Sequence, residues 1–216
     1  MMNYIFICIV FLSLLTFYWS IGRDKSVILI IIFWQLIVAS LVYTRVFEQN
    51  PQYFLSIIGI TILLFTLLVR RLLTYSVRPI HLLSIHLLRI PIEIILYHLY
   101  LEGQIPEIMT FKGWNFDIII GLSTVVILVY IKIGKKSLDN KFFLWWNIVG
   151  CLFLLIIVII AILSSPIPIQ IFGLDQPNRA LLTLPYCMLP TCIVPLVFIS
   201  HILIFNIFKK NVILNQ

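Results

Sequence analysis

Seven long apolar runs, separated by short charged or Pro- and Gly-bearing connections, decide what this chain can fold into. They lie near residues 4–22, 27–46, 53–69, 80–101, 117–133, 142–163 and 184–208. Each approaches the roughly 20 residues that carry a helix across a bilayer's hydrocarbon core. A backbone in lipid must satisfy its own hydrogen bonds, so the runs are predicted to be helices. A β-barrel would need strands of alternating apolar and polar residues; the unbroken run from Leu152 to Ile160 does not alternate. The expected fold class is therefore all-α: a polytopic transmembrane helix bundle forming a single integral membrane domain, residues 1–216. Hydrophobic residues make up 62% of the chain and charged residues 11%. A soluble domain has about 45–50% and about 25%, so one of this size could not hide so much apolar surface.

The basic residues assign a direction to the spans. With seven crossings, eleven of the fifteen Lys and Arg fall on one side: Arg23, Lys25, Arg70, Arg71, Arg78, Lys132, Lys135, Lys136, Lys141, Lys209 and Lys210. Arg45, Lys112 and Arg179 fall on the other, and Arg89 lies within a span. The positive-inside rule then puts the N-terminus outside and the C-terminus in the cytoplasm. The net charge of +7 is spread between apolar runs rather than gathered into a basic patch with exposed aromatics, so no nucleic-acid partner is expected. The expected partner is the lipid bilayer. No basic residue precedes the first run and no small-residue cleavage site follows it, so it is expected to stay as a span.

The fourth span holds the most informative pattern. His86, Arg89, Glu93, Tyr97 and Tyr100 follow one another at intervals of three, four, four and three residues, which places them on one helix face. Ionisable groups at that depth are costly and face a bundle interior or an aqueous cavity. Arg89 and Glu93 also form an i, i+4 pair with Arg on the N-terminal side. That pair is open to two readings: a neutral tie between helices, or part of a solute, ion or proton site. Counted from the inner ends of their spans, His86, Asn147 and His201 reach similar depths and could form one polar layer with Arg89. Gln35 is the other polar residue near mid-membrane. An outer polar rim is expected from Asp117, where the fifth helix begins, and from Asp175 and Asn178 flanking Pro177.

Other chemistries lack the residues they need. His81 and His86 are five apart and so on different faces, and no His-x-x-x-His or Glu-x-x-His pair exists, so no metal is expected. Every Lys sits at a helix end or in a connection, which excludes a buried Schiff base. No cofactor is expected. Cys8, Cys151, Cys187 and Cys192 lie in apolar stretches without ligand spacing. A disulfide between Cys8 and Cys187, both near the outer face, stays open. Pro91 in the fourth span and Pro185, Pro190 and Pro195 in the seventh predict kinked helices packed on protein rather than lipid.

Several segments resemble those of a group of small, uncharacterised bacterial multi-pass membrane proteins found in the Bacteroidota. The carrying residues are Arg89-Ile90-Pro91-Ile92-Glu93, the stretch from Met109 to Asp117, Trp146-Asn147, Asp175-Gln176-Pro177-Asn178, and Val194-Pro195-Leu196 through Ser200-His201. Lys112 and Trp114 depart from that group, where an acidic and a basic residue would be expected. The resemblance implies a bacterial cytoplasmic (inner) membrane and supplies no activity. Together these observations lead to a polar cavity between helices four, six and seven that binds or passes a small solute or protons, with Glu93 titrating and Arg89 its partner. Two alternatives stay open: an intramembrane enzyme on a lipid-soluble substrate, using His86 or His201 as acid or base, and a structural or accessory subunit. Oligomeric state is not encoded legibly.

Overall fold

The computed structural model describes residues 2–75, 77–134 and 140–214, and of Gly134, Asn140 and 209–214 the backbone alone. Lys135, Lys136 and Asp139, which enter the charge count, lie outside the described residues. The described residues are helical with no strand, as the apolar runs require. We number the long helices α1 (Met2–Ser20), α2 (Lys25–Tyr43), α3 (Gln52–Leu72), α4 (Pro79–Leu101), α5 (Asp117–Gly134), α6 (Asn140–Leu163) and α7 (Leu189–Leu214). Six of them, all but α5, are long and apolar enough to cross a membrane. Such a set is compatible with a membrane protein. The fifth expected span is present as an 18-residue helix, Asp117–Gly134, with Asp117 in its first turn and Lys132 in its last, but is not among those six.

The two proline-bearing helices form the centre. Of the most apolar 18 residues of each span, half are buried in α4 and 56% in α7 (within Leu189–Phe208), against 28–33% in α1, α2, α3 and α6. Packed on α4 are α1 and α5, while α2, α3 and α6 pack on α7. The outer helices therefore keep wide apolar faces, such as Leu29, Phe33, Leu63 and Val126, on the outside of the bundle.

Both central helices are irregular where proline removes a donor. In α4 the α-helix Pro79–Ile85 passes through a 3₁₀ turn, His86–Leu88, into Arg89–Leu101. Pro91 is thereby in the first turn of the second segment, where a missing N–H is tolerated. In α7 a π turn, Leu189–Ile193, precedes the α-helix Val194–Leu214. Pro195 cannot donate to the carbonyl of Thr191, four residues back. Gln35 of α2 supplies the missing donor, its Nε2 bonding Thr191 O at 2.9 Å, and Thr191 Oγ1 returns a bond to Gln35 Oε1 at 2.9 Å.

The connections gather at two ends. At one, Asp24 caps α2 by accepting the Ser26 and Val27 N–H groups, and it pairs with Arg71 at 2.9 Å and the Tyr75 hydroxyl at 2.7 Å. The Tyr75 bond is the main reason that the Asp24 carboxyl titrates below its ordinary value. At the other end the two longest connections form packed caps. Ile105, Met109, Thr110, Leu181 and Leu182 are buried there, and the backbone N–H of Arg179 donates to Gln104 O at 3.0 Å. Gln176 Nε2 donates to the carbonyls of Tyr100 and Ile105. Lys112, in the first cap, lies over the Tyr97 ring, 4.8 Å from its centroid. Cys8, Cys151, Cys187 and Cys192 are free thiols, Cys8 exposed and Cys187 buried.

Candidate functional site

Arg89 organises the buried polar groups of α4, α5, α6 and α7. In a 3₁₀ turn residues i and i+3 eclipse, so the turn at His86 sets His86 beneath Arg89 rather than offset around the helix. The Arg89 side chain, 2% exposed, cannot reach water. Its Nη1 donates to Asp117 Oδ1 at 3.0 Å and to Gly150 O at 3.3 Å; its Nη2 donates to Gly150 O at 3.3 Å and meets His201 Nε2 at 2.9 Å. A guanidinium has donors only. His201 Nε2 is therefore the acceptor, and Nδ1 carries the hydrogen, which it donates to Asn147 Oδ1 at 2.7 Å. Asn147 Nδ2 in turn donates to the backbone carbonyl of His201 at 3.1 Å.

His86 stands one turn below. Its ring centroid is 4.4 Å from that of His201, and its Nε2 is 3.1 Å from Ser200 Oγ. Trp146 packs edge-on against His86, with centroids 5.4 Å apart. Gly150 makes the crowding possible: a Cβ there would lie 2.8 Å from His201 Cε1. These contacts place His86, Arg89, Asn147 and His201 together, all fully buried or nearly so.

Glu93, one turn above Arg89, is held differently from the i, i+4 pair that its spacing offers. Its Oε1 accepts from Asn115 Nδ2 at 2.6 Å, while Arg89 ion-pairs with Asp117. Asn115 also accepts the Asp117 N–H on its Oδ1 at 3.1 Å. It thus caps the start of α5, while the carboxylate of Asp117, expected on an outer rim, is turned inward to Arg89. Three atoms of the site have no hydrogen-bond partner: Glu93 Oε2, Arg89 Nε and His86 Nδ1. Arg89, Glu93 and Asp117 line a void of about 40 Å³ together with Leu96, Ile157, Leu189 and Val194.

The other expected residues lie apart. Tyr97 is half-buried in the cap against Phe111 and beside Tyr100. Asn178 is fully buried in the second cap, its Nδ2 donating to Ala161 O and Ser165 Oγ, and Asp175 is exposed. Gln35 belongs to the Thr191 contact on the far side of α7. Ser200, Gly150 and Asn115 complete the site without having been singled out as site residues in the sequence. Ser200 and Gly150 carry no signal beyond their neighbours His201 and Asn147, whereas Asn115 lies in the Met109–Asp117 stretch already noted. Among the described residues no group of three or more His, Cys, Asp or Glu is placed to hold a metal ion.

A larger void, about 480 Å³, lies between α3, α6 and α7 and is lined almost wholly by apolar side chains. Its wall includes Leu96, Ile157, Leu189 and Val194, the four residues that also line the void at Glu93. A family model for a domain of unknown function, DUF8737, matches residues 46–208, which covers α3 through most of α7. No curated protein and no solved structure matches the chain.

Proposed function

The chain belongs to the DUF8737 family, a domain of unknown function, and we propose that it is a bacterial cytoplasmic-membrane protein that binds and releases a proton at Glu93. The observation that carries this reading is a charge imbalance. Arg89 is the one cation in a buried site with two carboxyl groups, and it is engaged by Asp117. An unpaired charge in a membrane interior is expensive. The site is neutral when Glu93 holds a proton, and the Glu93 oxygen without a partner is available to carry it. The size of the void supports protons over a larger solute: about 40 Å³ exceeds the roughly 10–15 Å³ that one water needs but not the room needed by a sugar or amino acid. His86, His201 and Arg89 extend the polar path from Glu93 toward the Asp24 end by seven residues of α4, about 10 Å.

In the membrane, the proposed arrangement is seven spans with the N-terminus outside. Eleven basic residues on one side against three on the other support it, as does the meeting of Asp24, Arg71 and Tyr75 at one end of the bundle. The test is proton flux in reconstituted vesicles with an entrapped pH indicator and an imposed membrane potential. Flux should exceed that of protein-free vesicles, be lost in Glu93→Gln, and persist in Glu102→Gln, whose carboxylate lies on the surface. Flux that is unchanged in Glu93→Gln, or none in the parent protein, overturns the reading. A second reading, an accessory subunit in which the same site only ties helices, is favoured by the engagement of every Nη hydrogen of Arg89. Stoichiometric co-purification of a partner, without flux, would support that one.

A further inference from the structure

At the Asp24 end of the bundle two connections distant in the chain are fastened together. Arg71 and Tyr75 both bond the Asp24 carboxylate, Arg71 from 47 residues away, and the Arg78 N–H donates to Ser20 O at 2.9 Å. The turn after α1 is thereby tied to the connection between α3 and α4, and α1 packs along the first half of α4. Residues 19–25 and 70–78 together carry five basic residues, Arg23, Lys25, Arg70, Arg71 and Arg78, and one acidic residue, Asp24. All five basic residues are exposed.

The charges there do not cancel. Asp24 is already engaged by Arg71, the Tyr75 hydroxyl and the Ser26 and Val27 N–H groups. Among the described residues, Arg23, Lys25, Arg70 and Arg78 form no ion pair with a carboxylate. On the seam between α1 and α4, next to the Ser20–Arg78 contact, Trp19 is 41% exposed and meets the His81 ring edge-on, with centroids 6.4 Å apart. Ile80 is exposed beside them. An amphipathic aromatic ring between apolar helix faces and charged residues sits where lipid headgroups lie. The opposite end is built otherwise: Arg45, Lys112 and Arg179 come from three separate connections, which also carry the exposed Glu48, Glu102 and Glu107.

We propose that this seam binds an anionic phospholipid of the phosphatidylglycerol type, with its phosphate taken by Arg23 and Arg78 and its glycerol backbone lying on Trp19. The positive-inside rule asks only that basic residues share one side of the membrane. It does not ask that two connections be tied together with their one carboxylate engaged, nor that an exposed tryptophan adjoin them. The bilayer is the source of the anion, because Trp19 and Ile80 continue the site from the basic residues onto the apolar faces of α1 and α4. The proposal rests on the membrane reading of the chain and not on the proton at Glu93.

The experiment uses the full chain in bilayers of phosphatidylcholine into which brominated phosphatidylglycerol or brominated phosphatidylcholine is titrated. Bromine quenches tryptophan, and the part of the fluorescence that Trp19→Phe removes isolates this site from the other tryptophans. The anionic lipid should bind there roughly five- to twenty-five-fold more tightly than the zwitterionic one, the range set by one or two basic residues near the surface. The double variant Arg23→Gln, Arg78→Gln should bring the two lipids to near equality. Arg45→Gln, at the opposite end, should leave the preference unchanged. Melting curves of the variants matching the parent would show that the loss is not misfolding. Salt supplies a readout that needs no variant: raising it toward about 1 M, where the screening length falls to about 3 Å, should weaken the preference in the parent protein. Equal quenching by the two lipids in the parent protein overturns the proposal, as does a preference that survives in the folded double variant. Displacement of the brominated lipid by dissolved inorganic phosphate would overturn the bilayer as the source.

Discussion

Two buried polar sites hold α7 in place, and they are built on different accounts. At one, Gln35 and Thr191 exchange hydrogen bonds through both ends of the Gln side chain, and the carbonyl freed by Pro195 is satisfied. At the other, Arg89 serves Asp117, Gly150 and His201, while Glu93 keeps one oxygen without a partner. The first site balances donors and acceptors with no charge to move. The second holds one cation and two carboxyl groups, so its neutrality depends on a proton. The contrast separates a repair of the backbone from a site with capacity left over.

Substitutions at the two sites should differ in what they cost. Arg89→Met would leave the buried Asp117 without its cation. Removing one partner of a buried pair costs about 3–5 kcal/mol, so the melting temperature in detergent should fall sharply or the protein should fail to accumulate. Gly150→Ala would press a methyl group against the His201 ring. Overpacking of this kind costs about 1–3 kcal/mol, and the same melting assay reads it. Gln35→Leu removes the donor to Thr191, a membrane hydrogen bond worth roughly 0.6–1.7 kcal/mol, with proton flux retained. A Gln35→Leu variant that lost flux at full stability would erase the distinction between the two sites.

Asp24→Asn tests the end of the bundle with the smallest effect. Tyr75 and the α2 N–H groups favour the Asp24 carboxylate, so its pKa is lower in the folded protein than in the unfolded chain. That contribution is present above the unfolded value and is lost as pH falls through the folded one. The parent protein should therefore lose melting temperature on acidification into the range below the ordinary Asp value of about 3.9. Asn preserves the cap and should lose less over the same range.

Much of the helix plan was legible because apolar run length is a direct physical requirement of a membrane span. That α4 and α7 are central was legible for a related reason: Pro91 and Pro195 free backbone groups that lipid cannot satisfy. What hydropathy cannot encode is the rotation of each helix about its axis. Spacing offers Glu93 as the partner of Arg89, but the bundle brings in Asp117 from twenty-eight residues away because the first cap turns the start of α5 inward. The 3₁₀ turn at His86 likewise sets the height of the histidines by a local change of pitch with no pattern of its own in the apolar run. Gly150 reads as an ordinary membrane glycine until the His201 ring is placed against it.

In the proposed function Glu93 holds the proton that balances Arg89 and Asp117. Infrared difference spectra of the protein in lipid, recorded between acidic and alkaline states, report directly on the C=O stretch of a protonated carboxyl group. The parent protein should show a carboxylic-acid band that disappears in Glu93→Gln and survives in Glu102→Gln. A band unchanged in Glu93→Gln would contradict it.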